Sequence, residues 1–343
     1  MKKLAGYQKG VNLGGWLSQG KLDKEHLDTF ITEKDIAVIA SWGCDHVRLP
    51  VDFENVENPD GSENAAGYGY IDSCVAWCEK YNLNVVLDLH KTLGYIFDDA
   101  DYSADFFDNA ELQDRFLNLW DKLSARYAKH SDRMMFEMLN EVVRFDVADV
   151  WNELALRCIT VIRKNAPTVR ILFGGVGCSA VSAVKYLAHP VDENIVYNIH
   201  CYEPMVFTHQ TAQWVQGMPS DFHIAYPGSV EKYNEAMKRI CGAREGVFHD
   251  TDAKVTELGT PFFEKLFQEA VAVCESRNVP LYCGEYGVID QAPIADTLRW
   301  YRDIHDVFEK FGIGRAAWSY KQMDFGLSDD RLKAVLPQLT ELL

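Results

Sequence analysis

RMMFEMLNE (residues 133–141) is nearly continuous in apolar side chains, yet it closes on an amide and a carboxylate, Asn140 and Glu141. A short run that is apolar on both faces fits a strand in a parallel sheet covered by helices on each side. The same signature recurs at GVNLG (10–14), DHVRLP (45–50), NVVLDLH (84–90), VRILFGG (169–175), NIVYNIH (194–200), PLYCGEYG (280–287) and GRAAWSY (314–320). Helical periodicity fills the stretches between. EKDIAVIASWG (33–43) is amphipathic and stops on Gly43, and residues 70–84, 112–130, 149–167, 261–278, 294–312 and 330–343 repeat apolar positions at three and four. Strand followed by helix, eight times over, predicts an α/β fold of the (β/α)8 barrel (TIM barrel) type. A doubly wound open sheet comes second, because no G-x-G-x-x-G follows an early strand.

The chain, 1–343, therefore reads as one barrel domain, with one interruption. The longest gap between strand runs lies after the sixth and holds an insertion at about 205–257. It is rich in aromatics (Phe207, Trp214, Phe222, Tyr226, Tyr233, Phe248) and histidines (His209, His223, His249). A small subdomain on the sixth βα loop is expected, serving as a cap with its own minor core, as a wall of the cleft, or both.

Bulk properties narrow the function. The 343 residues are 48% hydrophobic and 25% charged, an ordinary globular composition. A net charge of −17 argues against a nucleic-acid partner, since no basic stripe is present to neutralise phosphates. No stretch approaches the ~18 uninterrupted apolar residues of a membrane span. The nine cysteines are odd in number and lack framework spacing, and Cys74 and Cys78 sit one helical turn apart. Reduced thiols in a reducing compartment are expected. MKKLAGYQKGVNLGGWL has no apolar segment of signal-peptide type, which agrees with a cytoplasmic location; a secreted protein whose leader has been removed is the alternative.

In a (β/α)8 barrel the reacting groups gather at the carboxyl ends of the strands. Arg48 ends the second run, His90 the third, Asn140 and Glu141 the fourth, His200 and Tyr202 the sixth, Glu285 the seventh and Trp318 the eighth. Each alone has an ordinary explanation, such as a satisfied structural histidine or a core tryptophan. Their joint placement is the signal, because the barrel brings these ends together. Two carboxylates on facing strand ends suit glycosidic-bond cleavage, with one protonated to donate to the leaving oxygen and the other ionised. Desolvation at the barrel mouth would raise Glu141 toward a proton donor's range. Asn140 offers an amide to a sugar hydroxyl, Arg48 a bidentate cation to hold Glu285, Tyr202 a further hydrogen bond to it, and Trp318 a flat face for a pyranose ring. Glu137, deeper on its strand, is expected to be structural.

GVNLGGWL, HVRLP, DLH, MLNEV, NIHCYEP, CGEYGV and AAWSYK together resemble glycoside hydrolase family 5 of clan A, from about residue 10 to 325. The likeness is greatest to its small clostridial-type endoglucanase C group, whose barrel carries a subdomain after strand six. The resemblance implies a retaining endo-β-1,4-glucanase (cellulase or mixed-linkage β-glucanase) that needs no metal or organic cofactor. It implies Glu141 as acid/base, Glu285 as nucleophile, and Arg48, His90, Asn140, His200, Tyr202 and Trp318 as the other active-site positions. One departure stands out. Many relatives carry a second His after the one matching His90, then Pro-Gly, whereas this chain reads HKTLGYIF, with Lys91 and Leu93 there. Lys91 is expected to face the cleft and bind substrate.

A β-mannanase or an exo-acting cellodextrinase or β-glucosidase would use the same residues. A metal-dependent hydrolase holding its ion on His90, His200 and Asp88 lacks the closely spaced H-x-H pair of such sites, and a non-catalytic carbohydrate-binding protein would not need both glutamates. The expected partner is a β-glucan or oligosaccharide, bound by a monomer.

Overall fold

A computed structural model describes residues 1–99, 102, 103, 105–242 and 255–343, with Cys241 described by its backbone alone. Phe248 and His249 of the insertion lie outside the described residues. Eight parallel strands close into a barrel: β1 (Gly10–Asn12), β2 (His46–Asp52), β3 (Asn84–Lys91), β4 (Met134–Glu137), β5 (Arg170–Gly174), β6 (Ile195–Cys201), β7 (Leu281–Tyr286) and β8 (Gly314–Ala317). Each strand pairs with its sequence neighbour, and β8 returns to β1 with Gly10 opposite Ala316.

The near-continuous apolar runs are divided between two cores by the pleat. Val86, Met135, Leu172, Val196, Tyr282 and Ala316 form a separate buried cluster with Leu4 and Tyr7, which plugs the barrel from below. Their neighbours one residue along, such as Val85, Leu87, Phe136, Ile171 and Phe173, belong to the larger core shared with the helices. Moving two residues up from the plug on β3, β4 and β6 replaces apolar side chains by polar ones: Asp88 above Val86, Glu137 above Met135, Asn198 above Val196. The period of two thus carries the interior from an oily floor to a charged middle layer.

The outer ring contains α1 (Glu33–Ser41), α2 (Ala65–Lys80), α3 (Ala110–Tyr127), α4 (Ala148–Asn165), α5 (Val230–Cys241), α6 (Thr260–Arg277), α7 (Ile294–Phe311) and α8 (Leu336–Glu341). Thr32 and Asp35 form a capping box that starts α1, and Asn109 accepts from Glu111 and Leu112 N–H to start α3. Asn278 and Gly312, both left-handed, stop α6 and α7.

Three expectations need correction. The fourth strand stops at Glu137, so Asn140 and Glu141 stand on the loop beyond it. That loop is held from both sides: Asn140 N–H donates to Leu89 O at 3.1 Å, and the Tyr95 hydroxyl donates to Glu141 O at 2.8 Å. No full helix follows β5; left-handed Gly177 and Cys178 break the chain, and a 3-10 segment, Val181–Tyr186, takes the helix's place. The C-terminal stretch is a 3-10 turn, Asp330–Leu332, and the short α8 rather than one helix, because Pro337 can sit only in a first turn.

The segment after β6 contains a helical turn, Met205–Thr208, and α5. Its aromatics pack on the barrel: Phe207 lies 5.1 Å from Tyr226 between ring centroids, and the Tyr226 hydroxyl donates to Asp303 of α7 at 2.8 Å. Phe207, Phe222, Tyr226 and Tyr233 join the same continuous core as the outer face of the sheet. The eight cysteines whose side chains are described are free thiols, and no described helix is long and apolar enough to cross a membrane.

Candidate active site

Arg48, on β2 and fully buried, organises the middle layer. Its guanidinium grips Glu137 at two points, 2.7 and 2.8 Å, lies 3.0 Å from Asp88, and donates to Glu285 at 2.7 Å. It also donates to the side-chain oxygens of Asn12 at 2.9 Å and Asn140 at 2.8 Å. Three buried carboxylates need a partner that cannot lose its proton, and arginine is the residue that meets this demand. Burial opposes the charge on Arg48, but Asp88, Glu137 and Glu285 outweigh it and hold the guanidinium well above its ordinary range. Burial in turn lifts Glu137, and lifts Asp88 to about 7, with Arg48 pulling both back.

Glu285 reaches the mouth through an irregularity. The β6–β7 register slips between Ile199 and His200, which sets His200 opposite Glu285. The slip is allowed by Gly284, where a Cβ would stand 2.9 Å from Asn198 Oδ1 and 3.0 Å from His200 Nε2. One Glu285 oxygen accepts from Arg48 and the other from the Tyr202 hydroxyl at 2.9 Å, so this carboxylate is purely an acceptor and is fixed in orientation.

Glu141 is set differently. Its φ is 37°, a left-handed conformation rare for a residue with a side chain, and its carboxyl lies 2.8 Å from His200 Nδ1. Burial lifts Glu141 to about 8, with Arg48 opposing and Glu137 and Asp98 adding to the rise. Burial lowers the pKa of the His200 ring, which favours its neutral form beside Glu141. One oxygen of Glu141, one of Glu285 and a ring nitrogen of His200 all lie within 4.8 Å of one another.

Trp318 follows β8 and stacks on His90, 5.9 Å between centroids and 10° between planes. His90 Nδ1 lies 2.6 Å from Asp88, and burial drives the ring's pKa down to about 3, so it stays neutral. Three buried polar atoms here have no partner among the described residues: His90 Nε2, Asn140 Nδ2 and His200 Nε2. Unpaired buried polar atoms are rare in native proteins, and a ring of them around two carboxyls marks a place where a hydroxylated ligand completes the hydrogen bonding.

All of these open onto a cavity of about 1280 Å³, lined by His90, Asn140, Glu141, His200, Tyr202, Glu285 and Trp318 and continuing past His209 and Trp214 of the insertion. The structure thus brings together every sequence-predicted site residue except one. Lys91 does not line the cavity; its ammonium turns to Asp52, 3.7 Å away, because the β2–β3 register slips after Val51 and sets Asp52 opposite Lys91. Arg48 sits beneath the cavity and acts through the residues it holds. Sequence reading missed Asn12 and Asn198, buried at middle-layer level; the two-residue spacing of Asn198 from His200 was the available signal. Phe97 and His209, which also line the cavity, lie on loops without periodicity.

The His90, His200 and Asp88 set imagined for a metal does not converge, since Asp88 is engaged by His90 and Arg48. Glu141, His200 and Glu285 do converge, but both Glu285 oxygens are engaged, the one 3.8 Å from His200 by the Tyr202 hydroxyl and the other by Arg48.

The family model described as cellulase (glycosyl hydrolase family 5) matches residues 7–324. The chain belongs to glycosyl hydrolase family 5. This family 5 enzyme is a glycoside hydrolase. It is 44% identical over 315 residues to Cellodextrinase A of Ruminococcus flavefaciens, a match covering 92% of this chain and 86% of that protein. It is 38% identical over 344 residues to Endoglucanase C of Acetivibrio thermocellus, covering 99% and 98%. An endoglucanase of the hyperthermophile Thermotoga maritima shares the fold, with a TM-score of 0.76 at 24% identity over 98% of this chain and 97% of that one.

Proposed function

We propose that this glycoside hydrolase is a retaining endo-β-1,4-glucanase that acts on β-glucan and its oligosaccharides. Glu285 attacks the anomeric carbon while Glu141 protonates the departing glycosidic oxygen. Glu141, now ionised, then takes a proton from the water that displaces Glu285. The observation that carries this reading is the approach of the two carboxyls, with oxygens within 4.8 Å. Retaining enzymes place their carboxyls about 5–5.5 Å apart, whereas inverting ones need about 6.5–9.5 Å to admit a water between. The electrostatics divide the labour: Glu285 accepts two hydrogen bonds and is ready to attack, while Glu141, lifted to about 8 by burial, keeps its proton at neutral pH.

Binding follows from the unpaired atoms. Asn140, anchored through its oxygen by Arg48, presents its amide N–H to the hydroxyl beside the reacting carbon. Trp318 offers the floor for the sugar being attacked. The cavity of about 1280 Å³ exceeds the roughly 300–1,000 Å³ of a typical small-molecule pocket, which favours several sugar units over one. A preference for short cellodextrins is the second reading, favoured by the 44% identity to a protein named as a cellodextrinase.

The test is a side-by-side product profile on barley β-glucan, carboxymethyl-cellulose, glucomannan and cellotetraose. Early mixed-length products and a rapid fall in viscosity on the polymers support endo action on glucan. Cleavage of cellotetraose with the polymers left intact supports the cellodextrin reading. Cleavage confined to mannosyl bonds overturns both.

A further inference from the structure

Gln19, Asp52 and Lys91 form a linked set that the proposed reaction leaves unused. The register slip after Val51 places Asp52, only 6% exposed, opposite Lys91. Asp52 Oδ2 accepts the backbone N–H of Gln19 at 3.3 Å and lies 3.7 Å from the Lys91 ammonium. Gln19 has φ 57°, a left-handed conformation that residues with side chains rarely adopt and that needs holding in place. The hold is the Asp52 carboxylate; burial raises its pKa, and the Lys91 ammonium 3.7 Å away opposes that rise. The outcome is that Gln19 lines the cavity, and its Oε1 is buried without a partner among the described residues. Asp52 Oδ1 is likewise unpaired there.

The position of Gln19 fixes which part of a substrate it meets. Gln19 follows β1, His90 ends β3 and Trp318 follows β8, so these three share one side of the barrel mouth. Cys178 and Tyr202, after β5 and on the β6 side, border Glu141 on the other. The departing part of the substrate must lie on the Glu141 side, which leaves the Gln19 side to the sugars that stay behind.

We propose, building on the glucanase reading, that Gln19 is a specificity-determining contact to the hydroxyls of the glucosyl unit next beyond the one on Trp318, toward the non-reducing end, and that Lys91 is its positioning residue, acting through Asp52. Lys91 is then a device for aiming Gln19 rather than a direct sugar contact.

The experiment compares kcat/KM for a nitrophenyl β-cellobioside, which fills this position, with that for the nitrophenyl β-glucoside, which does not. Gln19→Ala is expected to lower the cellobioside-to-glucoside ratio about tenfold, the worth of one good hydrogen bond. Lys91→Met should lower the same ratio by about threefold, Lys91→Arg should restore it, and adding Lys91→Met to Gln19→Ala should cost nothing more. An unchanged ratio in Gln19→Ala, equal losses on both substrates in Lys91→Met, or additive losses in the double variant would each overturn the inference. A wild type inert on the cellobioside would sink the glucanase reading and this inference with it. An active wild type with an unchanged ratio in Gln19→Ala sinks this inference alone.

Discussion

Replacing Glu141 by Gln removes one ionisation from the centre of the site while keeping the shape of the side chain, and its effect on stability is set by pH. Burial lifts the folded-state pKa from an ordinary 4.5 to about 8. The folded chain therefore keeps a proton on Glu141 across a range in which the unfolded chain has released it. Stability falls with rising pH wherever the folded state binds more protons, so Glu141 weakens the fold progressively between pH 4.5 and about 8 and has no such effect below that window. Each pKa unit is worth about 1.4 kcal/mol, which sets a ceiling on the order of 5 kcal/mol. The side chain is 13% exposed and touches His200, so part of the charge is screened, and a few kcal/mol is the expected size. The assay is urea unfolding of wild type and Glu141→Gln in parallel from pH 4 to pH 8.5. The variant should match the wild type near pH 4 and exceed it by roughly 2–4 kcal/mol at the alkaline end. A difference that stays flat with pH, or a wild type that gains on the variant as pH rises, would refute the reasoning that burial holds a proton on Glu141.

The other outcomes concern turnover and the buried layer. Glu285→Gln should lower kcat by at least about 10⁴-fold, measured with purified protein on a nitrophenyl cellobioside, because no other group stands where the covalent bond must form. Glu141→Ala should cost about 10²–10⁴-fold on oligosaccharides, far less on substrates with good leaving groups, and added azide should restore part of the latter rate. The same variant should lose the alkaline limb of kcat/KM, which in the wild type falls as pH rises through about 8 because the acid is then ionised. Arg48→Met leaves Asp88, Glu137 and Glu285 buried without their cation, and thermal or urea unfolding should report a loss of about 3–5 kcal/mol alongside the loss of activity.

The barrel was legible because its strands announce themselves by continuous apolar runs, and several of them also by the polar residue that closes the run. That pattern is local, so His90, His200 and Glu285 could be placed at the mouth from spacing alone, whereas Arg48, read as a strand end, lies within β2 in the layer below. What was hidden depends on register. The slips after Val51 and Ile199 are invisible in sequence, yet the first turns Lys91 away from the cavity and the second brings Glu285 level with His200. Strand four illustrates the other limit. RMMFEMLNE reads as one apolar run, but hydrogen bonds from Tyr95 and to Leu89, both distant in sequence, bend its last residues out of the sheet. Glu137, expected to be structural, lies four residues below Glu141 in the middle layer, gripped at two points by Arg48.

Two carboxyl oxygens within 4.8 Å of each other leave no room for a water in the first step, and the stereochemistry of the product reads that spacing directly. Following cellotetraose hydrolysis by proton NMR in the first minutes resolves the anomeric signal before mutarotation blurs it. The β-anomer should accumulate first, because two displacements at the same carbon, through Glu285 and then water, restore the starting configuration. An α-anomer formed first would mean a single displacement by water, and would contradict the assignment of Glu285 as nucleophile and Glu141 as its partner.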